Sequence, residues 1–242
     1  MYKPDDSLQL PPQETRIWRF MDLPALFYIL QRRRLFFRSI NKMNDPYDGY
    51  MPEYVYERYW DWEMGRSPED HPLDIISAGV VQKAVRQITF VNCWHMNSEE
   101  SAAMWALYPN YGVAIRSTIG RLIQAFRLCP IGIIIRPVQY INFDFLKRKE
   151  ASLALSSSPV FVKRRSFEHE RELRAAILEP SIHKEEHPGM GVETDVAALI
   201  EKIFISPLVK AWLTEVVREE LKVHDLRGVE VIHSALYSKE LA

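Results

Sequence analysis

Two segments of this chain crowd ionisable and aromatic side chains beside apolar runs: Val91–Tyr108, reading VNCWHMNSEESAAMWALY, and Ser166–Arg174, reading SFEHERELR. Burying such groups costs several kcal/mol unless each finds a hydrogen-bond or charge partner. A fold that holds both segments is therefore expected to bring their polar side chains into one shared pocket.

The remaining composition sets the scale. With 242 residues, 47% hydrophobic and 12% aromatic, the chain has ample material for a core. Its net charge of -1, from 31 basic and 32 acidic residues, gives no global field for nucleic acid or an anionic membrane, so any such contact has to be a local patch. Cys93 and Cys129 sit among apolar neighbours and read as buried thiols, with no disulfide framework and no cysteine-built zinc quartet. No signal-peptide pattern or membrane-length apolar run is present, and the expected location is the cytoplasm. Residues 1–15 read as a polar, proline-bearing arm and 16–242 as one domain.

Periodicity predicts a strand over 16–21, then a helix capped by Asp22 with Pro24 in its first turn and Leu23, Leu26, Phe27 and Leu30 on one face. Arg32–Arg34 complement the negative end of that helix. A strand follows at 35–40, and a turn at Asn44–Gly49. Helices are expected over 53–64 and 73–87, and a strand over 87–94 delivers His95 into the next turn. Ser98 opens a helix through Tyr108; 111–118 reads as a strand and 119–127 as a helix. Later strands are expected at 131–135, 138–143, 172–178, 202–206 and 229–234, with helices at 194–200 and 208–223. The last helix is expected to turn Leu208, Val209, Trp212, Leu213, Val216 and Val217 to the core. Strands and helices without regular alternation predict an α+β class: a single mixed domain with a central, mostly antiparallel sheet flanked by helices.

As a strand, the second segment aligns Glu168, Glu170, Glu172 and Arg174 on one face. Three aligned acids suit a solvated edge, or a pocket where cations attend them. The apolar continuation Leu173–Leu178 places them where a central strand leaves the core. His95 reads either as a histidine bonded within the fold or as a catalytic one. Trp94, Trp105 and Tyr108 read as core or as stacking surfaces, and Asp45 and Asp48 as turn-makers or ligands. His183 and His187 lack a third ligand, so no metal site is assigned. GxGxxG, Walker A, GxSxG, HExxH and paired CxxC patterns are all missing.

The succession IWRFMD at 17–22, LFFRS at 35–39, NDPYDG at 44–49, CWHMN at 93–97, ESAAMWALY at 100–108, GVAIRST at 112–118, VQYI at 138–141 and KRRSFEHERELR at 163–174 resembles the bacterial domain-of-unknown-function 2971 (DUF 2971) family. The resemblance runs from about residue 16 to 236. It implies that the NDP turn, the Trp–His strand end, the ESAAMW helix and the glutamate-rich segment matter most. Relatives often carry Tyr where this chain has Phe20, which removes a hydroxyl there.

The order of residues also resembles ADP-ribosyltransferases, which place a basic or imidazole residue on an early strand, an aromatic or hydroxyl residue after the first helix, and a glutamate on a later strand. Arg19, Arg38–Ser39, and Glu170 or Glu172 follow that order. The chemistry needs a cation and donors for a pyrophosphate and a carboxylate for an oxocarbenium-like ribose. The resemblance implies an NAD-directed transferase or glycohydrolase with catalytic Glu170, Glu172, His95 and Arg19. Binding roles then fall to Arg38, Ser39, Asp45, Asp48, Trp94, Trp105, Tyr108, Arg116 and Arg174, with NAD as substrate. Two other readings stand beside it. In one, Asp45, Asp48, Glu170 and Glu172 hold Mg²⁺ for a phosphodiesterase or nuclease, with Arg174 or Lys163 on phosphate. In the other, Trp94, Trp105 and Arg116 form a non-catalytic cleft for a nucleotide or peptide. The expected partner is a small nucleotide or a nucleic-acid end rather than a membrane.

Overall fold

The computed structural model describes residues 10–52, 54–55, 80, 82–108, 112–143, 159–181 and 187–238. Residues 1–9 of the expected arm, nearly all of the expected 53–64 helix, the first part of the 73–87 helix and His183 lie outside the described residues.

The chain opens with β1 (Arg16–Asp22), α1 (Leu23–Arg32) and β2 (Arg34–Ser39). Asp22 caps α1, its Oδ1 accepting the Ala25 N–H at 2.9 Å, while Pro24 occupies the first turn, where a missing N–H costs nothing. Leu26, Ile29 and Leu30 form the buried stripe of α1, and Arg33 ends it in the left-handed region at φ 52°. β3 (Thr89–Met96), α2 (Ala102–Ala106), β4 (Gly112–Thr118) and α3 (Ile119–Ala125) follow. β5 (Ile134–Pro137), β6 (Gln139–Ile141), β7 (Val162–Arg164), β8 (Glu172–Leu178) and β9 (Gly189–Glu193) come next. The last elements are α4 (Val196–Leu199), β10 (Lys202–Ile205), α5 (Trp212–Val223) and β11 (Glu230–His233).

Among the described residues nine strands form one sheet whose main path runs β11-β10-β4-β1-β3-β2-β9, with β8 on β3 and β5 on β8. Every pairing in it is antiparallel except β10–β11. β6 and β7 form a separate parallel pair. The class is α+β, with the sheet flanked by helices. β1 is buried on both faces, and the alternation of its side chains explains how. Ile17 and Met21 join a large core with residues of α1, α3, α4 and α5, whereas Trp18 and Phe20 point the other way, onto Trp105 of α2 and Phe204 of β10. Full burial of each such side chain stabilises by about 1.5–3 kcal/mol. No helix among the described residues is long and apolar enough to cross a membrane.

The centre of the sheet is split. β8 lines one edge of β3 from Thr89 to His95. The other edge is shared: β1 pairs at Ile17↔Met96 and Trp18↔His95, and β2 pairs at Arg38↔Val91 and Ser39↔Phe90. Between these contacts β1 and β2 diverge, leaving residues 92–94 without a strand partner on that side. Side chains fill the gap: Arg19 Nη1 donates to the Cys93 carbonyl at 2.7 Å, and Asn92 Nδ2 donates to the Phe36 carbonyl at 2.9 Å. A buried carbonyl with no partner would be costly, so Arg19 has a structural task as well as a place in the cleft.

Three expectations are corrected. The helix expected from Ser98 to Tyr108 is shorter: it starts at Ala102 and is capped by Ser101, whose Oγ accepts the Met104 N–H at 3.3 Å. The segment Ser166–Arg174 is not one strand: Arg165–Glu170 is a 3-10 turn, Arg171 takes the left-handed region at φ 41°, and the strand starts at Glu172. Glu168 is therefore exposed and shares no face with Glu172. The last helix starts at Trp212 rather than 208, because Ser206 closes a turn, accepting the Leu208 N–H on Oγ and the Val209 N–H on its carbonyl. Its buried stripe runs through Leu213, Val217 and Leu221, which leaves Trp212, one position earlier and about 100° round the helix, 53% exposed. Leu208 and Val216 are exposed as well.

Candidate functional site

The split opens into a cleft of about 530 Å³, within the range of small-molecule sites. β1 contributes Arg19 and Asp22, β2 Arg38, β3 Cys93 and His95, the segment after α2 Tyr108, the turn after β2 Asp45 and Asp48, and β7, the 3-10 turn and β8 Lys163, Glu170 and Glu172. Gly112 shapes the wall: a Cβ there would stand 2.5 Å from the Tyr108 carbonyl oxygen, so only glycine lets β4 run against the end of α2.

Among the described residues, three buried polar atoms of the lining have no hydrogen-bond partner: Arg19 Nε, His95 Nε2 and Asp48 Oδ1, and only the last is matched by an ion pair, with Arg174. His95 Nδ1 lies 2.6 Å from the Glu170 carbonyl oxygen, which can only accept, so Nδ1 carries the proton and Nε2 presents a lone pair. Burial lowers the His95 pKa, outweighing the carbonyl contact that raises it, and keeps the ring neutral. Burial likewise lowers Arg19. One N–H donor and one acceptor thus face the cleft unmatched, an arrangement that a ligand carrying both an acceptor and a donor would satisfy.

The floor is a charged network. Arg174, 0% exposed at its side chain, donates from Nε to Glu172 Oε1 at 2.8 Å, from Nη2 to Glu172 Oε2 at 3.0 Å and from Nη1 to the Val160 carbonyl at 2.7 Å. It also pairs with Asp48 at 2.6 Å. Lys163 Nζ lies 2.5 Å from Glu170 Oε2, 3.3 Å from Glu172 Oε2 and 3.7 Å from Asp48 Oδ2. Burial alone would raise the Glu172 pKa; Arg174 and Lys163 overcome it and bring it down to about 2. Tyr140 supports β8, its hydroxyl accepting the Glu172 N–H at 2.8 Å. Three carboxylates against two cations leave one negative charge in excess, and the most accessible carboxylate is Glu170, 24% exposed.

Of the residues singled out from sequence, the cleft gathers Arg19, Arg38, Asp45, Asp48, Trp94, His95, Tyr108, Glu170 and Glu172. Their availability differs. Asp45 is held bidentate by Arg164 at 2.7 and 3.3 Å, and Glu172 is locked from below. Trp94 is buried, its indole N–H donating to Asn92 Oδ1 at 2.7 Å, so it presents no stacking face. Four residues lie off the cleft. Trp105 is core, with its N–H on Glu100 at 2.9 Å. Arg116 is paired with Glu201 at 2.8 and 3.1 Å. Ser39 is buried in β2, and Arg174 is a pillar beneath the floor rather than a ligand contact. Lys163 and Phe167 are among the lining residues that the leading sequence reading passed over. A lysine directly after the buried Val160, Phe161 and Val162 is the signal that marks the first of them.

No protein-family model matches the chain, and no curated protein matches it. The chain is similar to solved structures of Thermus sp. 2.9 DarT. In complex with ADP-ribosylated ssDNA, the identity is 10% over 93% of this chain and 97% of that one, with a TM-score of 0.43. In complex with carba-NAD+ it is 12% over 92% and 97%, with a TM-score of 0.41. In complex with NAD+ it is 12% over 92% and 96%, with a TM-score of 0.36.

Proposed function

We propose that the cleft is the site of an NAD-directed transferase or glycohydrolase resembling ADP-ribosyltransferases, in a chain that belongs to the DUF 2971 family. The observation that carries this reading is the state of Glu170. The other lining acids are committed, Asp22 to capping α1, Asp45 to Arg164, and Asp48 and Glu172 to Arg174 and Lys163. Glu170, the most accessible carboxylate of the charged network, has an oxygen, Oε1, with no hydrogen bond among the described residues while Oε2 is anchored by Lys163. A fixed carboxylate carrying the surplus negative charge suits a reaction that develops positive charge.

In that reaction the bond between the ribose C1′ and the nicotinamide nitrogen breaks, its electron pair leaving with nicotinamide. Glu170 stabilises the oxocarbenium-like ribose, and water or an acceptor nucleophile forms the new bond to C1′. The nucleophile's proton passes to His95 Nε2 or to solvent. Arg38, exposed and in no ion pair among the described residues, and Arg19 Nε supply donors for the pyrophosphate. The metal-dependent reading loses its ligands to the same network, since Asp45, Asp48 and Glu172 already face arginine or lysine. The test is nicotinamide release from NAD, beside calorimetry with NAD and with Mg²⁺. Heat from NAD and release of nicotinamide are expected; heat from Mg²⁺ alone with neither would replace this reading by the metal-dependent one.

A further inference from the structure

Glu170 ends a 3-10 turn that contributes no buried residue, and the next residue reverses the chain at φ 41°. Its carbonyl is bonded to His95, but that contact orients the backbone and leaves the side chain free to rotate. Among the described residues the carboxylate has one hydrogen-bond partner, Lys163 Nζ at 2.5 Å.

Lys163 is itself held in place. Its side chain is 6% exposed on β7, Glu172 and Asp48 stand at 3.3 and 3.7 Å, and the Phe167 ring covers Nζ with its centroid at 4.9 Å. Its ammonium donates to Glu170 and Glu172 and has the Asp48 carboxylate at 3.7 Å, so its charge is already met by three acids before any ligand arrives. Glu172 and Asp48 are in turn fixed by Arg174. Rigidity therefore passes from the fully buried Arg174 through two acids to Lys163 and from there to Glu170.

Accepting the reading of the cleft as an NAD-directed site, we propose that Lys163 is a positioning residue that holds Glu170 Oε2 and so presents Oε1 to the reacting ribose. Its effect on the reaction runs through Glu170 and not through contact with the substrate. A preorganised group needs this kind of support, because a side chain that is free to rotate loses the benefit of its charge.

Four proteins decide the matter in a nicotinamide-release assay: Lys163→Met, Lys163→Arg, Glu170→Gln and the Lys163→Met, Glu170→Gln double variant. Lys163→Met is expected to lower kcat by about ten- to a hundredfold with KM within about twofold, and Lys163→Arg to recover a large part of the loss. The double variant is expected to be no slower than Glu170→Gln alone. Independent, multiplying losses, or a Lys163→Met defect confined to KM, would overturn the proposal. A second readout needs no turnover. Burial opposes the charge on Lys163, yet Glu172 and Asp48, helped by the bond to Glu170, hold its pKa above the ordinary lysine value. Titration of the Lys163 ε-carbon by NMR should therefore show a lower midpoint in Glu170→Gln than in the parent. If the parent releases no nicotinamide, the proposed function fails while this titration still judges the pairing; an unmoved midpoint would overturn the positioning role. If Lys163→Met does not fold, the Lys163→Arg kinetics and the titration remain decisive, and Lys163→Arg at full parent kcat with an unmoved midpoint counts against it.

Discussion

His95 Nδ1 stands 2.6 Å from the carbonyl oxygen of Glu170, joining the two polar segments across 75 positions of sequence. The contact fixes the imidazole tautomer and leaves the buried Nε2 unmatched in the cleft. The same histidine is paired in register with Glu172 of β8, so backbone pairing and side-chain chemistry fasten the same point.

That contact has a consequence for stability against pH. Burial holds the His95 pKa below its ordinary 6.5. As the pH falls through 6.5, the unfolded chain takes up a proton that the folded chain refuses, so His95 makes the fold less stable in the window below 6.5 and has no such effect above it. Replacing it by glutamine keeps an N–H for the Glu170 carbonyl and removes the titration. Melting temperatures measured from pH 7.5 to 5 should fall less in His95→Gln than in the parent; parallel curves would show that His95 is not buried in neutral form.

Glu172 behaves in the opposite sense. Its carboxylate is held at about 2 against an ordinary 4.5, a stabilisation of about 3 kcal/mol that is present above pH 4.5 and lost as the pH falls towards 2. Glu172→Gln should lose that amount or more in urea unfolding at neutral pH, because Arg174 is left buried with less compensation. It should also flatten acid denaturation between pH 4.5 and 2. A loss under about 1 kcal/mol would contradict the network.

The phase of α5 makes a contrast between adjacent residues. Leu213 is fully buried and Trp212 is 53% exposed. Leu213→Ala should cost about 2–5 kcal/mol and Trp212→Ala about 1 kcal/mol or less, measured by chemical denaturation. The reverse order would mean that the helix is rotated.

How much of this was legible in the sequence depends on how local each feature is. Asp22 and Pro24 announce the start of α1 within four residues, and the apolar run after Glu172 marks β8 as central. The left-handed Arg171 carries no such mark, because arginine has no special preference for that region, and the sequence pattern therefore aligns Glu168 with Glu170 and Glu172. Trp94 and Trp105 were ambiguous between packing and stacking, since both uses need the same ring; only the partners Asn92 and Glu100 decide for packing. The split between β1 and β2 against β3, which creates the cleft, depends on register between distant strands and has no signature in any one of them.

The central claim is that Glu170 acts as a positioned charge, and Glu170→Gln tests it most directly because it keeps the shape and removes the charge. Glu170 is partly exposed and lies outside the buried Glu172–Arg174–Asp48 set, so the variant should keep its fold and melt within a few degrees of the parent. Nicotinamide release from NAD should fall by at least about a hundredfold, the scale of one preorganised electrostatic group. A stable Glu170→Gln protein that turns over NAD at the parent rate would contradict the account.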